Sequence, residues 1–200
     1  MYSFLTDISI GTAVFASTNI DDLFLLAAYF ANPLVRHRAI VAGQFLGIGA
    51  LTLASVLAAV FALALPEGWV ALLGLVPLLL GIRALLALRS TEDELAEADT
   101  VQSNARGWIA QALSIAGVTI ANGGDNIGVY VPLFTNAIES IVTYVLIFAV
   151  LTGLWCALGY ALVSHRVLGT VIKRYGHLAL PFVLMALGLY ILSGAVVLLS

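Results

Sequence analysis

Cysteine and charged residues are scarce in this 200-residue chain. The single cysteine, Cys156, excludes an intramolecular disulfide framework and any Cys-x-x-Cys redox or zinc site. Charged residues make up 10% of the chain, whereas about 25% is usual in soluble domains. The formal net charge of -3 leaves no basic surface for neutralising phosphates, which argues against a nucleic-acid partner.

Apolar residues are correspondingly abundant, at 62% of the chain against roughly 45–50% in soluble proteins. The few charged residues cannot shield this many apolar side chains from water. The lipid bilayer must therefore cover much of the protein surface. The apolar runs are continuous and rich in Leu, Ala and Val rather than alternating. The composition therefore predicts an all-α integral membrane protein.

Six stretches are long and apolar enough to cross a bilayer, which takes about 20 residues in a helix. They are residues 8–30, 39–65, 69–88, 108–134, 137–163 and 179–199. The residues before the first stretch include no basic residue, and the stretch contains two aspartates, so we expect a retained helix rather than a cleaved signal peptide.

The basic residues lie only between alternate stretches, and loops rich in Lys and Arg face the cytoplasm. This bias predicts that both chain ends lie outside and that helices 1–3 run opposite to helices 4–6. The residues concerned are Arg36, Arg38, Arg83, Arg89, Arg106, Arg166, Lys173 and Arg174.

An offset of 104 residues aligns membrane-rare or helix-breaking residues in all three pairs of helices. The aligned pairs are Asp21 with Asp125, Phe30 with Phe134, Asn32 with Asn136, Gly49 with Gly153 and Pro77 with Pro181. We expect one membrane domain, residues 1–200, built as a 3+3 inverted repeat. Its halves are about 1–89 and 106–200, joined by a hydrophilic cytoplasmic linker of about 90–105. Such repeats are typical of secondary transporters, whose substrate site lies near mid-membrane; duplication without transport is the alternative.

Each half has one polar interruption, which falls in its first helix. The two segments are Thr18-Asn19-Ile20-Asp21-Asp22 and Asn122-Gly123-Gly124-Asp125-Asn126. An ionised carboxylate at the bilayer centre costs at least about 2.5–3.5 kcal/mol, so three of them indicate a functional site. No Lys or Arg lies at this depth, so the balancing charge must come from protons or from a bound cation.

The remaining polar residues of these segments add neutral oxygen atoms to the carboxylates. An oxygen-rich cage on a broken helix suits a divalent cation, because hard cations prefer oxygen ligands. Helix-breaking residues free further backbone carbonyls. The alternative is a self-satisfied hydrogen-bond cluster that locks the two halves together. The predicted metal ligands are Asp21, Asp22, Asp125, Asn126, Asn122 and Asn19, with Thr18 and Gln44 as possible additions and Gly123, Gly124 and Pro132 as the helix break.

The chain resembles the bacterial cadmium-resistance transporters, the CadD-like family of the lysine-exporter-like superfamily. The resemblance covers essentially the whole chain and rests on Asn19-Ile20-Asp21-Asp22-Leu23, on residues 122–134 and on Leu180-Pro181-Phe182. It implies a transporter, not an enzyme, that exports Cd2+ or a similar divalent ion across the bacterial inner (plasma) membrane. The ion would be the transported substrate rather than a resident cofactor, and the matched acidic and amide residues would be its ligands.

Other substrates and functions remain open at this stage. Cd2+ is soft and favours thiolate, so oxygen ligands alone would favour Mn2+ or Ca2+. An amino-acid exporter fits three carboxylates less well than a metal exporter does. An intramembrane aspartyl protease would need Gly at Asn122 and Tyr at Ile20. Protons retained by the empty acidic site would have to leave before a cation binds, so proton antiport is the expected coupling.

Overall fold

The computed structural model describes residues 2–62, 64, 72–87, 107–164 and 182–193, and every regular element within them is helical. The predicted all-α class is therefore confirmed for the described part of the chain. A single 3-10 turn, Ile138–Ser140, precedes the seventh helix. In chain order the helices are α1 (Tyr2–Thr18), α2 (Ile20–Ala31), α3 (His37–Ala62), α4 (Leu75–Ala87), α5 (Trp108–Asn122), α6 (Gly124–Asn136), α7 (Ile141–Ser164) and α8 (Phe182–Ser193).

Two helical segments, His37–Ala62 and Ile138–Val163, are each long and apolar enough to cross a membrane. A third span is possible if α1 and α2 cross together, with a bend of 58° between them. Helices α5 and α8 are apolar but shorter. The described residues thus contain two or three candidate spans where six are predicted. The linker of about 90–105 and parts of the stretches 69–88 and 179–199 lie outside the described residues.

Two of the predicted spans are each divided into two helices. The stretch 8–30 is interrupted at Asn19, and the stretch 108–134 is interrupted at Gly123. Each interruption creates a new helix N-terminus, where the helix dipole favours negative charge. Asp21 and Asp22 lie in the first turn of α2, and Asp125 lies in the first turn of α6. The breaks therefore provide a local reason why carboxylates occur inside apolar segments.

Small residues allow the helices of the first half to pack closely against those of the second. A Cβ atom at Gly43 of α3 would lie 2.7 Å from the carbonyl oxygen of Ala112 in α5. A Cβ atom at Gly159 of α7 would lie 2.7 Å from Cβ of Leu26 in α2. Close backbone approach of this kind strengthens helix packing in membranes, where no hydrophobic effect acts between helices.

The packed helices run parallel to each other, because their contacts advance in the same chain direction. Along α3 and α5, the successive contacts are Gly43 with Ile115, Gly47 with Thr119, and Leu51 with Gly123. Along α1, α2 and α7, they are Asp7 with Ser140, Gly11 with Ile147, Phe15 with Phe148, and Leu26 with Gly159. Each broken helix therefore lies alongside the long helix of the other half.

An aromatic cluster fills the space between the first helix and α7. The Phe15 ring lies 5.4 Å from the rings of both Phe148 and Trp155, and Tyr130 of α6 stacks 4.5 Å from Phe148. These side chains are buried, whereas large apolar residues such as Phe61 and Val150 are exposed and suit contact with lipid chains. The aromatic cluster supports the break at Asn19 from one side.

Candidate functional site

The break in the first predicted span is centred on Asn19, which is completely buried. Its backbone carbonyl accepts a 2.6 Å hydrogen bond from the Trp155 indole N–H. A carbonyl at a helix break inside an apolar segment needs such a donor, because no water is available there. Trp155 therefore stabilises the break from the neighbouring helix α7.

The side-chain amide of Asn19 has only one orientation that fits its neighbours. Its Nδ2 donates to the Phe15 carbonyl at 2.8 Å, to Tyr130 OH at 2.9 Å and to Thr18 Oγ1 at 3.0 Å. Because the Phe15 carbonyl can only accept, Nδ2 must face it and Oδ1 must face the other way. Asn19 Oδ1 then accepts a 3.3 Å bond from Nδ2 of Asn126.

This orientation leaves the Oδ1 atom of Asn126 without a hydrogen-bond partner, although the residue is only 3% exposed. Buried polar atoms are nearly always paired, and an exception often marks an ion or ligand site. Leaving such an acceptor unpaired costs about 1–3 kcal/mol. The arrangement of its neighbours therefore leaves the side-chain Oδ1 atom of Asn126 available to a cation.

A second chain of hydrogen bonds ends on Asp22, which is also buried. Gln44 Nε2 of α3 donates to Asp22 Oδ2 at 2.6 Å. The Thr119 hydroxyl of α5 donates in turn to Gln44 Oε1 at 3.0 Å. Gln44 thus reaches the predicted site, but it presents its N–H to the carboxylate while its oxygen is held by Thr119.

The other two carboxylates, Asp21 and Asp125, are half-buried in the first turns of α2 and α6. Oδ1 of Asp125 accepts the backbone N–H of Asn126 at 2.9 Å. Asp22 is repelled by the charges of both other aspartates, and Asp125 is repelled by Asp21. The two helix breaks therefore bring carboxylates from different parts of the chain within electrostatic reach of one another.

Helices α1, α2, α5, α6 and α7 contain no basic residue. Residues 2–31, 108–136 and 141–164 contain no Lys, Arg or His. Within the part of the chain that the structure describes, no three His, Cys, Asp or Glu side chains are grouped so that they could hold a metal ion by themselves. Carboxylates alone therefore do not form a metal cage here, and an ion at this position would need amide or backbone oxygens as well.

The remaining predicted residues lie around the same two breaks. Thr18 is buried, and its hydroxyl lies 3.1 Å from the Val14 carbonyl and 3.3 Å from Tyr130 OH. Asn122 is half-buried at the end of α5. Gly123 packs directly beneath the Leu51 side chain, whereas Gly124 faces open space. Pro132 is buried inside α6, where its missing N–H removes one helical hydrogen bond.

Three residues of this cluster are absent from the sequence prediction: Thr119, Tyr130 and Trp155. Thr119 precedes the polar segment of α5 by one helical turn, which places it on the same face as Asn122. Tyr130 and Trp155 each carry a polar group deep within an apolar stretch, and buried Tyr and Trp usually find a partner. That rule could have marked both as partners of a polar residue in another helix.

One comparison with known proteins identifies a family for this chain. The family model for the cadmium resistance transporters matches residues 15–198, a region that includes both helix breaks. Neither the curated proteins nor the solved structures gave a match. The family predicted from the two polar segments is thus confirmed, and its members are transporters rather than enzymes. The chain belongs to the cadmium resistance transporter family.

Proposed function

We propose that this chain exports a divalent metal cation, Cd2+ first among them, across the bacterial inner membrane. The observation that carries the proposal is the unpaired, buried side-chain oxygen of Asn126, which follows Asp125 in the chain. Asn126 and Asp125 are adjacent in α6, and the charges of Asp125 and Asp22 interact across the two breaks. A divalent cation would satisfy the orphan oxygen and neutralise two of the carboxylates at once.

The proposed ligand set combines charged and neutral oxygen atoms from both breaks. Neutral ligands are necessary because the acidic side chains alone do not form a cage. Oxygen ligands hold a soft ion such as Cd2+ more weakly than thiolates would. Weak binding suits a transporter, which must release its substrate on the far side of the membrane. The set comprises Asp21, Asp22, Asp125 and Asn126, with Asn19 and Asn122 as neutral contributors.

We further propose that the two halves form a 3+3 inverted repeat with six spans and both termini outside. Contacts between the halves support it, since they recur when both residues are exchanged by the offset of 104. The contact of Asp7 with Ser140 corresponds to the contact of Gln111 with Arg36. The contact of Gly11 with Ile147 corresponds to the contact of Ile115 with Gly43. The contact of Asn19 with Trp155 corresponds to the contact of Gly123 with Leu51.

The direction of the helices also supports this topology. Both termini outside would make the first and fifth spans run inward and the second and fourth run outward. Within the described residues, the first span lies parallel to α7 and α3 lies parallel to α5, as that arrangement requires. The carboxylates would then lie where the two halves meet, and rocking of one half against the other would expose them alternately to each side.

Proton antiport is the proposed source of energy for export. Carboxylates that lie close together retain protons, because repulsion and desolvation disfavour their charged forms. A cation can bind these oxygens only after the protons leave, so the two ligands compete for one site. Protons moving inward would therefore drive the metal ion outward through alternating access.

Metal uptake into inverted membrane vesicles, measured for Cd2+, Zn2+, Mn2+ and Ca2+, tests the proposed function. We expect Cd2+ uptake by the wild-type protein and its abolition by Asp125→Asn. Asn126→Ala should weaken uptake less, because a neutral oxygen contributes less than a charge. The Asp125→Asn protein should remain inserted and folded, since removing a buried charge relieves its desolvation cost.

The matched control for these variants is Asn136→Ala, at the end of the same helix. The Asn136 side chain is exposed and, among the described residues, bonds the Pro132 carbonyl of its own helix. Its removal should leave Cd2+ uptake close to the wild-type rate. If Asp125→Asn instead lowers the amount of folded protein while the rate per molecule is unchanged, the cluster is structural and the proposal is wrong.

A further inference from the structure

We propose that Gln44, held in position by Thr119, makes the site discriminate against Ca2+. The inference rests on the proposed export function and concerns the selectivity of the same site. Gln44 donates its N–H to Asp22 Oδ2 in a short bond of 2.6 Å. One of the two oxygens of this carboxylate is thus engaged by protein, and Asp22 offers a cation chiefly the other one.

The amide of Gln44 cannot simply turn and offer its own oxygen instead. Thr119 donates its hydroxyl to Gln44 Oε1 at 3.0 Å, and both side chains are nearly completely buried. In the deprotonated state that binds a cation, turning the amide would place Oε1 against the carboxylate of Asp22 and leave two acceptors facing each other. Thr119 is therefore a positioning residue, because its hydroxyl satisfies Gln44 Oε1 while the amide N–H faces Asp22.

Close packing holds this pair of side chains in register. A Cβ atom at Gly47, one turn after Gln44, would lie only 2.6 Å from Cβ of Thr119. One turn before Gly47, a Cβ atom at Gly43 would lie 2.7 Å from Cβ of Ile115 in α5. Helices α3 and α5 are thus in close contact at this level, and the Thr119 hydroxyl lies within reach of the amide.

The number of available oxygen atoms separates Ca2+ from Zn2+. Ca2+ takes 6–8 oxygen ligands and often binds a carboxylate through both oxygens. Zn2+ is usually satisfied by four ligands. A site that withholds one carboxylate oxygen and one amide oxygen lowers the binding affinity for Ca2+ more than the affinity for an ion of lower coordination number. The Thr119–Gln44–Asp22 chain therefore lowers the affinity for Ca2+ selectively.

The test measures Cd2+ uptake by the purified full-length protein in proteoliposomes, with Ca2+ or Zn2+ as competitor. In Gln44→Leu, Asp22 regains its second oxygen. Partners of metal ligands change affinity by about 10–100-fold, so we expect the half-inhibitory Ca2+ concentration to fall about tenfold relative to wild type. The value for Zn2+ should change much less.

Variants at Thr119 separate positioning from general packing. Thr119→Val removes the hydroxyl at nearly constant volume and should shift the Ca2+ value in the same direction as Gln44→Leu. Thr119→Ser keeps the hydroxyl and should retain wild-type discrimination. Thr135→Val is the matched control, because the buried Thr135 hydroxyl bonds the Val131 carbonyl of its own helix and no other group in the described part of the chain.

Two results would overturn the inference. One is an unchanged ratio of Ca2+ inhibition to Cd2+ affinity in both Gln44→Leu and Thr119→Val. The other is a Thr119→Ser protein that behaves like Thr119→Val. If Gln44→Leu does not fold, Thr119→Val decides the question alone. Failure of the export function itself is distinguishable, because the wild-type protein would then move no Cd2+ at all.

Discussion

Two buried side-chain amides at the centre of this protein each face a group that accepts a hydrogen bond, and that group determines how the amide is oriented. For Asn19 that group is the Phe15 carbonyl, and for Gln44 it is the carboxylate of Asp22. The orientation passes from Asn19 to Asn126, whose oxygen is left unpaired. The orientation of these amides therefore decides which oxygen atoms of the proposed site are left for a cation.

Tyr130→Phe tests this network at the residue scale. The change removes the hydroxyl that accepts from Asn19 Nδ2 and lies next to Thr18 Oγ1. Hydrogen bonds between membrane helices contribute about 0.6 kcal/mol on average and up to about 1.7, so we expect a loss of stability in that range. Thermal or denaturant unfolding in detergent measures it. The control is Tyr160→Phe at an exposed position of α7, and equal stability of the two variants would contradict the prediction.

The helix break at Gly123 is the feature that matters most at the scale of elements. A Cβ atom there would run into the Leu51 side chain of α3, whereas a Cβ atom at Gly124 would meet nothing within 4 Å. The adjacent glycines are thus a natural pair for comparison, because both lie at the same break but only one packs against another helix.

We expect Gly123→Ala to destabilise the protein by about 1–3 kcal/mol through overpacking, and Gly124→Ala to have little effect. Unfolding in detergent measures both. In a Leu51→Ala background, where space is opened beneath the break, the cost of Gly123→Ala should largely disappear. Equal effects of the two glycine substitutions would show that backbone conformation, and not packing, determines the residue at this position.

The elements of this fold could be predicted from the sequence only in part. Continuous apolar runs indicate helices, and Gly123-Gly124 followed by Asp125 marks a weak point in one of them. The break at Asn19 has no such local signal, because its stability comes from Trp155 and Tyr130 in other helices. The contact between Thr119 and Gln44 likewise joins residues 75 positions apart. Such contacts depend on how helices pack, which composition and periodicity do not specify.

At the scale of the whole molecule, the proposed coupling to protons makes metal binding depend on pH. Protons and the cation compete for the same oxygens, so acidification of the side from which the metal binds should weaken the apparent affinity for Cd2+. Binding should also release protons into weakly buffered solution. Proteoliposomes with a pH-sensitive dye inside measure the opposing fluxes. Cd2+ flux without proton flux, with affinity flat between about pH 5 and 8, would contradict antiport and indicate a uniporter.

The pairing of each broken helix with the opposite half also bears on how the protein is made. During synthesis Asn19 reaches the membrane before the partners of its backbone carbonyl and its amide oxygen exist, since Trp155 and Asn126 follow more than 100 residues later. At about 5–20 residues per second, this interval is on the order of ten seconds. The nascent first half must therefore hold its polar break next to water or the insertion machinery until the second half arrives, and its final burial is a late step of assembly.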